Sequence, residues 1–216
     1  TETKKTGEIA VTNPTYMIVA IDIHDPETFG RYVEQAVPLL QEQGGEILAA
    51  TPNLTVERGA WPRQRLTLIK FPTWSQAELF YQSDAYQPVK ALRESASDGD
   101  LVLVQGQPDS ESDKLDGQST PHYLLGTTTM TDTGWITEYM QKTPPASAKF
   151  GVQGLIMGGD FTVLEGNWPR ESFVLLKLPS ARAYQDFWFG EEYRAMKELR
   201  EANTIADHVS FAGVVE

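Results

Sequence analysis

Hydrophobic positions along the chain change their spacing, and each change predicts a new element. β-Branched and apolar residues dominate residues 16–23, a pattern typical of a strand. Residues 29–37 carry apolar side chains at the spacing of one helix face. Asp25 and Pro26 precede them, and these residue types are favoured at the cap and at the first position of a helix. The first well-patterned segment is therefore a strand that leads into a helix.

Strand patterns return after that helix. One covers residues 46–57 and is interrupted near Pro52, where we expect a bulge or a bend, and another covers residues 65–71. A second helical region follows, and an apolar strand over residues 101–104 closes the unit. The resulting order, β-α-β-β-α-β, is the pattern of a ferredoxin-like unit.

The whole unit occurs twice, at one fixed offset and without a gap. The sequence Gly-Ala-Trp-Pro-Arg at 59–63 returns as Gly-Asn-Trp-Pro-Arg at 166–170, so the copies lie 107 residues apart (166 minus 59). Two long copies indicate a fused pair, because a solenoid needs about three or more short repeats. We predict an α+β fold with ferredoxin-like repeats at 14–106 and 121–216, joined by a linker at 107–120 that is rich in Pro, Asp, Ser and Gly.

Short motifs recur in both copies and together resemble a known family. They are Gly44, residues 57–63, Phe71-Pro72, residues 83–87 and Leu92-Arg93 in the first copy, and residues 165–170, Leu178-Pro179, Glu192-Tyr193 and Leu199-Arg200 in the second. Each copy resembles the domain-of-unknown-function family 1330, within the dimeric α/β-barrel superfamily. The resemblance implies two antiparallel four-stranded sheets packed face to face into a barrel, with helices outside, here within one chain. It implies no single reaction, because the superfamily includes cofactor-free mono-oxygenases, isomerases, polyketide cyclases and haem enzymes.

Composition excludes several function classes. The 216 residues carry a formal charge of −12, so we expect no binding to nucleic acid or to anionic membranes. The absence of cysteine excludes disulfides, thiolate metal sites and thiol nucleophiles. No apolar run approaches the roughly 20 residues that span a bilayer. We expect a cytoplasmic protein that is a monomer or a weak homodimer, because the barrel is complete within the chain, and whose partner is a small-molecule ligand.

The repeated Trp-Pro-Arg motif permits two interpretations. Trp61 and Arg63, with Trp168 and Arg170 in the second copy, could bind a substrate anion at the mouth of the barrel. Alternatively, each Trp plugs a hairpin end while each Arg is solvated. We favour the structural interpretation, because both copies keep the motif and a single site rarely needs both.

The closing strands of the two copies differ at two positions. Leu101 and Leu103 of the first copy correspond to His208 and Ser210 of the second. Since alternate residues of a strand share a face, we assign these positions to the barrel interior and the intervening apolar residues to the helix side. His208 is then a candidate general base and Ser210 a candidate binding residue, in a pocket nearer to the second copy. The simpler interpretation, a satisfied interior histidine or an exposed strand end, is the one we favour.

The first strand of each copy supplies further candidates. Asp22 and His24 share one face and could act as an orienting carboxylate and a catalytic imidazole, or as two metal ligands, although no third ligand is visible. We favour the simpler interpretation, in which His24 lies in the loop beside the helix cap. The corresponding face of the second copy is rich in hydroxyl groups, and its candidate substrate-binding residues are Tyr123, Thr127 and Thr129.

A helix face with one tyrosine and two cations also recurs. It consists of Tyr86, Lys90 and Arg93 in the first copy and of Tyr193, Lys197 and Arg200 in the second. Spacings of about four and three residues place each set on one side of a helix. Such a face could hold an acidic substrate, but we favour a solvated face with ion pairs.

These features predict a small-molecule pocket inside the barrel that supports acid/base chemistry without a cofactor, of the isomerase, cyclase or mono-oxygenase type. A non-catalytic binding or sensing module is the alternative. The sequence contains no phosphate loop, serine elbow, His-Glu-x-x-His motif or dinucleotide fingerprint. The three histidines leave few axial ligands for a haem. We therefore expect no stoichiometric metal and no Soret band in an absorbance scan.

Overall fold

The computed structural model describes residues 13–109 and 120–214, so most of the predicted linker lies outside the described residues. The first repeat consists of β1 (Thr15–Ile23), α1 (Pro26–Glu42), β2 (Glu46–Thr51), β3 (Thr55–Arg58), β4 (Arg65–Phe71), α2 (Trp74–Gln82), α3 (Tyr86–Ala96) and β5 (Ser97–Gln105). The second consists of β6 (His122–Met130), α4 (Ile136–Ala148), β7 (Gln153–Met157), β8 (Phe161–Glu165), β9 (Ser172–Leu178), α5 (Ala181–Trp188), α6 (Glu191–Ala202) and β10 (Thr204–Ala212). None of the helices within these ranges is long and apolar enough to cross a membrane.

The α+β architecture follows the predicted order, and local signals explain its helix starts. Asp25 caps α1, where its side chain accepts a hydrogen bond from the Thr28 amide at 3.1 Å. Thr73 and Ser180 cap α2 and α5 in the same way. Short polar caps thus start α1, α2 and α5, whereas α4 begins without a side-chain cap.

Each sheet contains five antiparallel strands and takes one of them from the other repeat. The strand orders are β2-β4-β1-β5-β8 and β3-β10-β6-β9-β7. The interruption near Pro52 is therefore more than a bend, because β2 stays in the sheet of its own repeat while β3 pairs with β10. This exchange gives five strands in each sheet where the family resemblance implied four, and it joins the two repeats through main-chain hydrogen bonds.

The two sheets face each other across one apolar core to which both repeats contribute. Tyr16, Ile18, Leu66 and Leu68 of the first repeat belong to the same buried cluster as Leu125 of the second. The helices cover the outer faces of the sheets, where separate clusters form in each repeat. The barrel interior is thus largely filled by side chains.

Strand register decides which residues of the closing strands face this interior. Tyr16 pairs with Val104 and Ile18 pairs with Val102, and residues directly opposite each other in an antiparallel ladder share one face. Val102 and Val104 accordingly lie in the barrel core, whereas Leu101 packs under the helices. The predicted facing of β5 is therefore wrong, and the alternation runs in the opposite phase.

The same correction applies to β10. Val209 and Phe211 lie in the barrel core. His208 is paired with Gly126 and Ser210 with Leu124, on the side of the sheet that the helices cover. The structure thus moves both polar residues from the predicted interior of the barrel to the outer face of the second sheet.

Candidate functional site

The largest difference between the repeats lies between each sheet and its first helix. In the first repeat α1 buries Ala36 and Leu40 against the sheet. In the second repeat α4 has no buried residue. A cavity of about 790 Å³ lies between α4, α6 and the outer face of the sheet. The second repeat therefore has a pocket where the first has a packed core.

Small residues of the second repeat open this cavity. At the 107-residue offset, Gly126 stands where the first repeat has Val19, and Thr128 stands where it has Ile21. The first-repeat members of these pairs are buried in the core under the helices, and the second-repeat members line the cavity. Ser147 likewise lines the cavity where the first repeat has the buried Leu40, and Gly154 lines it where the first repeat has Ile47, which is partly buried against the same core.

The walls of the cavity are mainly apolar, with a compact group of polar atoms. Leu124, Val174, Leu176, Phe187 and Ile136 contribute apolar surface.

The polar group joins three lining residues from α4 and α6. The hydroxyl groups of Tyr139 and Tyr193 lie 2.7 Å apart, and Arg200 Nη1 donates to the Tyr193 hydroxyl at 2.8 Å. An apolar pocket with a few convergent polar groups is the usual composition of a small-molecule site.

His208 lies in the wall of this cavity, and its side chain fits only because residue 126 is glycine. The histidine is 4% exposed, and a Cβ atom at position 126 would stand 2.6 Å from its Cδ2 atom. The indole of Trp188 meets the imidazole edge to face, with ring centroids 5.6 Å apart. The buried Nδ1 atom has no hydrogen-bond partner. The imidazole is thus held by packing rather than by hydrogen bonds to Nδ1.

The electrostatic surroundings keep this histidine neutral. Burial lowers the pKa of His208 to about 3, and Arg200, Arg58 and Lys197 act in the same direction. The imidazole is consequently deprotonated near neutral pH and can accept a hydrogen bond or a proton from a ligand.

The sheet separates Tyr123, Thr127 and Thr129 from His208, whereas Ser210 lies on the same side as the histidine. Tyr123 lies in the barrel core, with its ring stacked on Phe211 at 5.7 Å, and Thr127 lies at one end of the barrel. Thr129 is half-buried on the same face of β6. Ser210 is on the helix side and donates to Glu57 Oε1 at 2.7 Å. The single pocket predicted from these residues is therefore divided between the two faces of one sheet.

Asp22 and His24 do not form a pair, in agreement with the favoured interpretation that places His24 in the loop beside the helix cap. The Asp22 carboxylate accepts hydrogen bonds from Arg63 Nη1 at 3.2 Å and from the Gln64 amide at 2.8 Å. His24 is exposed in the loop before α1, where its amide donates to the Ala96 carbonyl. Asp22 thus belongs to an ion pair at the end of the barrel.

The Trp-Pro-Arg turns meet at that end of the barrel. Trp61 and Trp168 contact each other edge to face, with ring centroids 6.1 Å apart. Arg63 Nε donates to Asp100 at 2.7 Å, and Arg170 Nε donates to Asp207 at 2.8 Å. The expectation of solvated arginines is therefore wrong.

Each of these aspartates also holds the turn of the other repeat. Asp207 accepts from the Ala60 amide at 2.9 Å, and Asp100 accepts from the Asn167 amide at the same distance. A cavity of about 250 Å³ lies between the turns. Because its arginines are already paired with carboxylates, the contacts assign the motif to joining the repeats, and we place the functional site in the larger cavity.

The helix face with tyrosine and cations is more buried than expected, although its expected ion pairs form. Arg93, Tyr86 and Tyr193 are each 1% exposed, whereas Lys90, Lys197 and Arg200 are half-buried. Lys90 lies 3.4 Å from Glu94 and Arg200 lies 3.5 Å from Glu201. Sequence reasoning missed this burial and missed the small residues that open the cavity. The signal for the cavity was present in the repeat itself, in positions where the second copy loses side-chain volume rather than gains polarity.

No three His, Asp or Glu side chains come together as metal ligands within residues 13–109 and 120–214. The absence of haem and of stoichiometric metal stays a prediction, and the absorbance scan remains its measurement.

The fold defines the class of protein: a dimeric α/β-barrel whose two ferredoxin-like halves are fused in one chain. The model of a family described as "Domain of unknown function (DUF1330)" matches residues 14–107 and 121–214, and the chain belongs to this family. No curated protein matches the chain significantly in sequence.

Solved structures share the fold at low sequence identity. An anthrone oxidase-like protein is 15% identical with a TM-score of 0.55, over 94% of this chain and 92% of its own. A mutant chlorite dismutase from Candidatus Nitrospira defluvii is 8% identical with a TM-score of 0.60, over 93% and 91%. A candidate monooxygenase from Lactobacillus acidophilus NCFM is 10% identical with a TM-score of 0.51, over 94% and 93%. At these identities the likeness concerns the fold alone.

Proposed function

We propose that the chain binds a small, mainly apolar organic molecule between α4 and the sheet of the second repeat, and that His208 exchanges a proton with it. The observation that carries the proposal is the replacement of buried Val19, Ile21 and Leu40 by smaller residues that line one continuous cavity. Loss of packed volume costs stability, so an open cavity of this size is better explained by an occupant than by packing.

The size and lining of the cavity indicate the kind of occupant. Its volume of about 790 Å³ falls within the range of roughly 300–1,000 Å³ that is typical of small-molecule pockets. Phe187, Trp135 and several methionines supply flat or adaptable apolar surface. We therefore expect a molecule with one or more rings and with few polar groups.

His208 and the Tyr139–Tyr193 pair supply the chemistry. A neutral imidazole can accept a proton, and the tyrosine hydroxyls can hold the oxygen that gains charge when the proton leaves. This chemistry fits a cofactor-independent isomerase, cyclase or mono-oxygenase. The anthrone oxidase-like and candidate monooxygenase structures share the fold and support this class of reaction by analogy.

A non-catalytic binding or sensing module is the second candidate. A pKa of about 3 makes His208 a weak base in the free protein, which favours a hydrogen-bonding role for its imidazole. The two candidates differ in one measurement: an enzyme converts the molecule that co-purifies with it, whereas a binding module releases it unchanged on denaturation, as native and denaturing mass spectrometry would show.

Filling the cavity is expected to abolish binding while preserving the fold. Ser147→Leu and Thr128→Ile each restore the residue type of the first repeat, from the helix side and from the sheet side. Each should weaken binding of the neutral fluorescent probe N-phenyl-1-naphthylamine by about tenfold or more, which corresponds to about 1.4 kcal/mol. Each should also raise the free energy of unfolding by about 0.5–2 kcal/mol, as cavity-filling changes do. Probe titration and urea unfolding measure the two effects.

Ser95→Leu is the matched control for Ser147→Leu. Ser95 is exposed on α3, and its hydroxyl donates to the Leu92 carbonyl at 2.8 Å, just as Ser147 donates to Pro144 at 3.0 Å. The control should leave probe affinity unchanged. Equal probe affinity in Ser147→Leu, Thr128→Ile and the wild type would place the ligand outside this cavity.

A further inference from the structure

The first repeat contains a partly buried cluster whose charges balance. Glu165 of β8 lies 2.5 Å from Arg93 Nη2 and 3.6 Å from Lys90 Nζ, and it accepts from the Tyr81 hydroxyl at 2.5 Å. Lys90 also lies 3.4 Å from Glu94. Two cations thus face two carboxylates. Arg93 and Glu165 form the buried pair, which compensation makes less costly, and Glu94 is exposed.

The second repeat reverses one of these charges. The 107-residue offset places Arg58 where the first repeat has Glu165, and β3 pairs with β10 just as β8 pairs with β5. Arg200 and Lys197 occupy the positions of the two first-repeat cations, and Glu201 occupies that of Glu94. A carboxylate that compensates buried cations in one repeat is therefore a guanidinium in the other.

Arg58 is satisfied by backbone oxygens instead of a carboxylate. Its Nη2 atom donates to the main-chain carbonyls of Glu201 at 2.8 Å and Thr204 at 3.1 Å, while its buried Nη1 atom has no partner. Lys197 lies over the Trp188 ring, 4.3 Å from its centroid. These two cations therefore keep most of their positive potential.

Arg200 places one of these positive charges in the wall of the cavity. It lines the cavity wall, its Nε atom is buried without a partner, and it reaches the Glu201 carboxylate only at 3.5 Å. The other nearby carboxylate, Glu57, accepts from Ser210. Three cations thus face two carboxylates, one positive charge more than in the first repeat.

The equivalent lysines of the two clusters are shifted in opposite directions. Burial lowers the pKa of Lys197; the Glu201 carboxylate opposes this shift, and Arg200 adds to it. In the first repeat burial also opposes the charge of Lys90, yet Tyr81 and Glu165 raise its pKa above the ordinary value. The field of Arg58 acts on His208, whose pKa burial lowers and Arg200, Arg58 and Lys197 lower further.

We infer that the ligand of this cavity is an organic anion, an apolar body that ends in a carboxylate, a sulfonate or an ionised phenol or enol bound by Arg200. The inference rests on the proposed function, because it assigns the chemistry of the same site. Arg200 lines the cavity, whereas Arg58 and Lys197 are not among its lining residues and act on the anion through their field. Arg200 presents several donors in a fixed plane, which suits the oxygens of such a group.

Two probes with one aromatic body test the charge. 8-Anilinonaphthalene-1-sulfonate is an anion, and N-phenyl-1-naphthylamine is its neutral counterpart without the sulfonate. Arg58→Glu restores the carboxylate of the first repeat. It should weaken binding of the anionic probe by about tenfold or more and leave the neutral probe within about twofold. Fluorescence titration at low ionic strength measures both affinities.

Arg58→Gln and Arg182→Glu complete the design. Arg58→Gln keeps an amide donor for the carbonyls of Glu201 and Thr204 and removes only the charge, so it should cause a smaller loss for the anionic probe. Arg182 is 90% exposed on α5, and Arg182→Glu changes the net charge equally without touching the cluster, so it should affect neither probe. An equal effect of Arg58→Glu on both probes, or no effect on either, would overturn the inference while leaving the cavity as a binding site. Binding of neither probe to the wild type would overturn the proposed function as well.

Discussion

Replacing Asp207 with alanine is expected to lower the free energy of unfolding by about 3–5 kcal/mol, the cost of removing one partner of a buried, hydrogen-bonded ion pair. The Asp207 side chain is 12% exposed and accepts from Arg170 Nε and from the Ala60 amide. Its loss leaves a half-buried guanidinium and a main-chain donor without partners. The substitution also removes the contact that holds the turn at Gly59. The backbone of Gly59 has a φ of 71° and packs so closely on Asp207 that an added Cβ would stand 2.2 Å from Asp207 Oδ1. Urea unfolding measures the change.

The repeat supplies an internal comparison for this variant. Asp100→Ala removes the equivalent contacts to Arg63 and the Asn167 amide and should cost nearly as much, somewhat less because Asp22 also binds Arg63. Asp186→Ala removes an exposed ion pair to Arg182 and should change stability by less than about 0.5 kcal/mol. A loss below about 1 kcal/mol for both buried aspartates would show that the turns do not hold the repeats together.

Replacing His208 with leucine is expected to preserve the fold and to remove part of the acid sensitivity of the protein. The folded-state pKa of about 3 lies below the ordinary value near 6.5, so the unfolded chain binds the proton first as the pH falls. The contribution of neutral His208 is therefore complete above pH 6.5 and is lost progressively as the pH falls towards 3. A shift of this size corresponds to about 5 kcal/mol.

The measurement is the difference in unfolding free energy between wild type and variant at several pH values, because carboxylates that titrate in the same window cancel in the difference. The wild type should lose stability relative to His208→Leu between about pH 6.5 and pH 4. His208→Gln should show the same change in slope, since it also removes the titration. Parallel curves for all three proteins would mean that the pKa of His208 is the same in the folded and unfolded states, so that burial does not lower it.

Ligand affinity gives His208→Leu a second readout. Leucine already occupies the equivalent position 101 under the helices of the first repeat, so we expect a shift in stability at pH 7 of no more than about 1–3 kcal/mol in either direction. A folded variant that binds the co-purified molecule as tightly as the wild type would remove this histidine from the site. Global unfolding of both variants would instead identify it as a structural residue.

Local pattern in the sequence was sufficient for the architecture. The β-α-β-β-α-β order follows from changes in hydrophobic spacing and from caps such as Asp25, and the fused barrel follows from the gapless repeat and the family resemblance. These signals are local, or depend only on comparing one half of the chain with the other. The exchange of β3 and β8 between sheets was not visible, because it depends on which strand edge each segment reaches in three dimensions.

The phase of the closing strands also depended on tertiary structure. Alternation showed that Leu101 and Val102 lie on opposite faces, but an isolated strand does not reveal which face is inside. The pairing of Tyr16 with Val104 shows which face of β5 is inside the barrel. The equivalent pairing of β10 with β6 places His208 on the helix side. A register is set by hydrogen bonds between strands, so residues within one strand carry little information about it.

The sequence by itself determined two repeats, their element order and the asymmetry at positions 208 and 210. Only the tertiary structure decided that the asymmetry belongs to a cavity outside the barrel. A cavity is a volume left between elements, and small residues such as Gly126 and Ser147 open one only when they converge from strand and helix. The charge reversal between Arg58 and Glu165 also depends on tertiary structure. The exchanged strands bring each of these residues to a helix of the other repeat. Electrostatic energy depends on distance and burial, so sequence order alone does not show which charges interact.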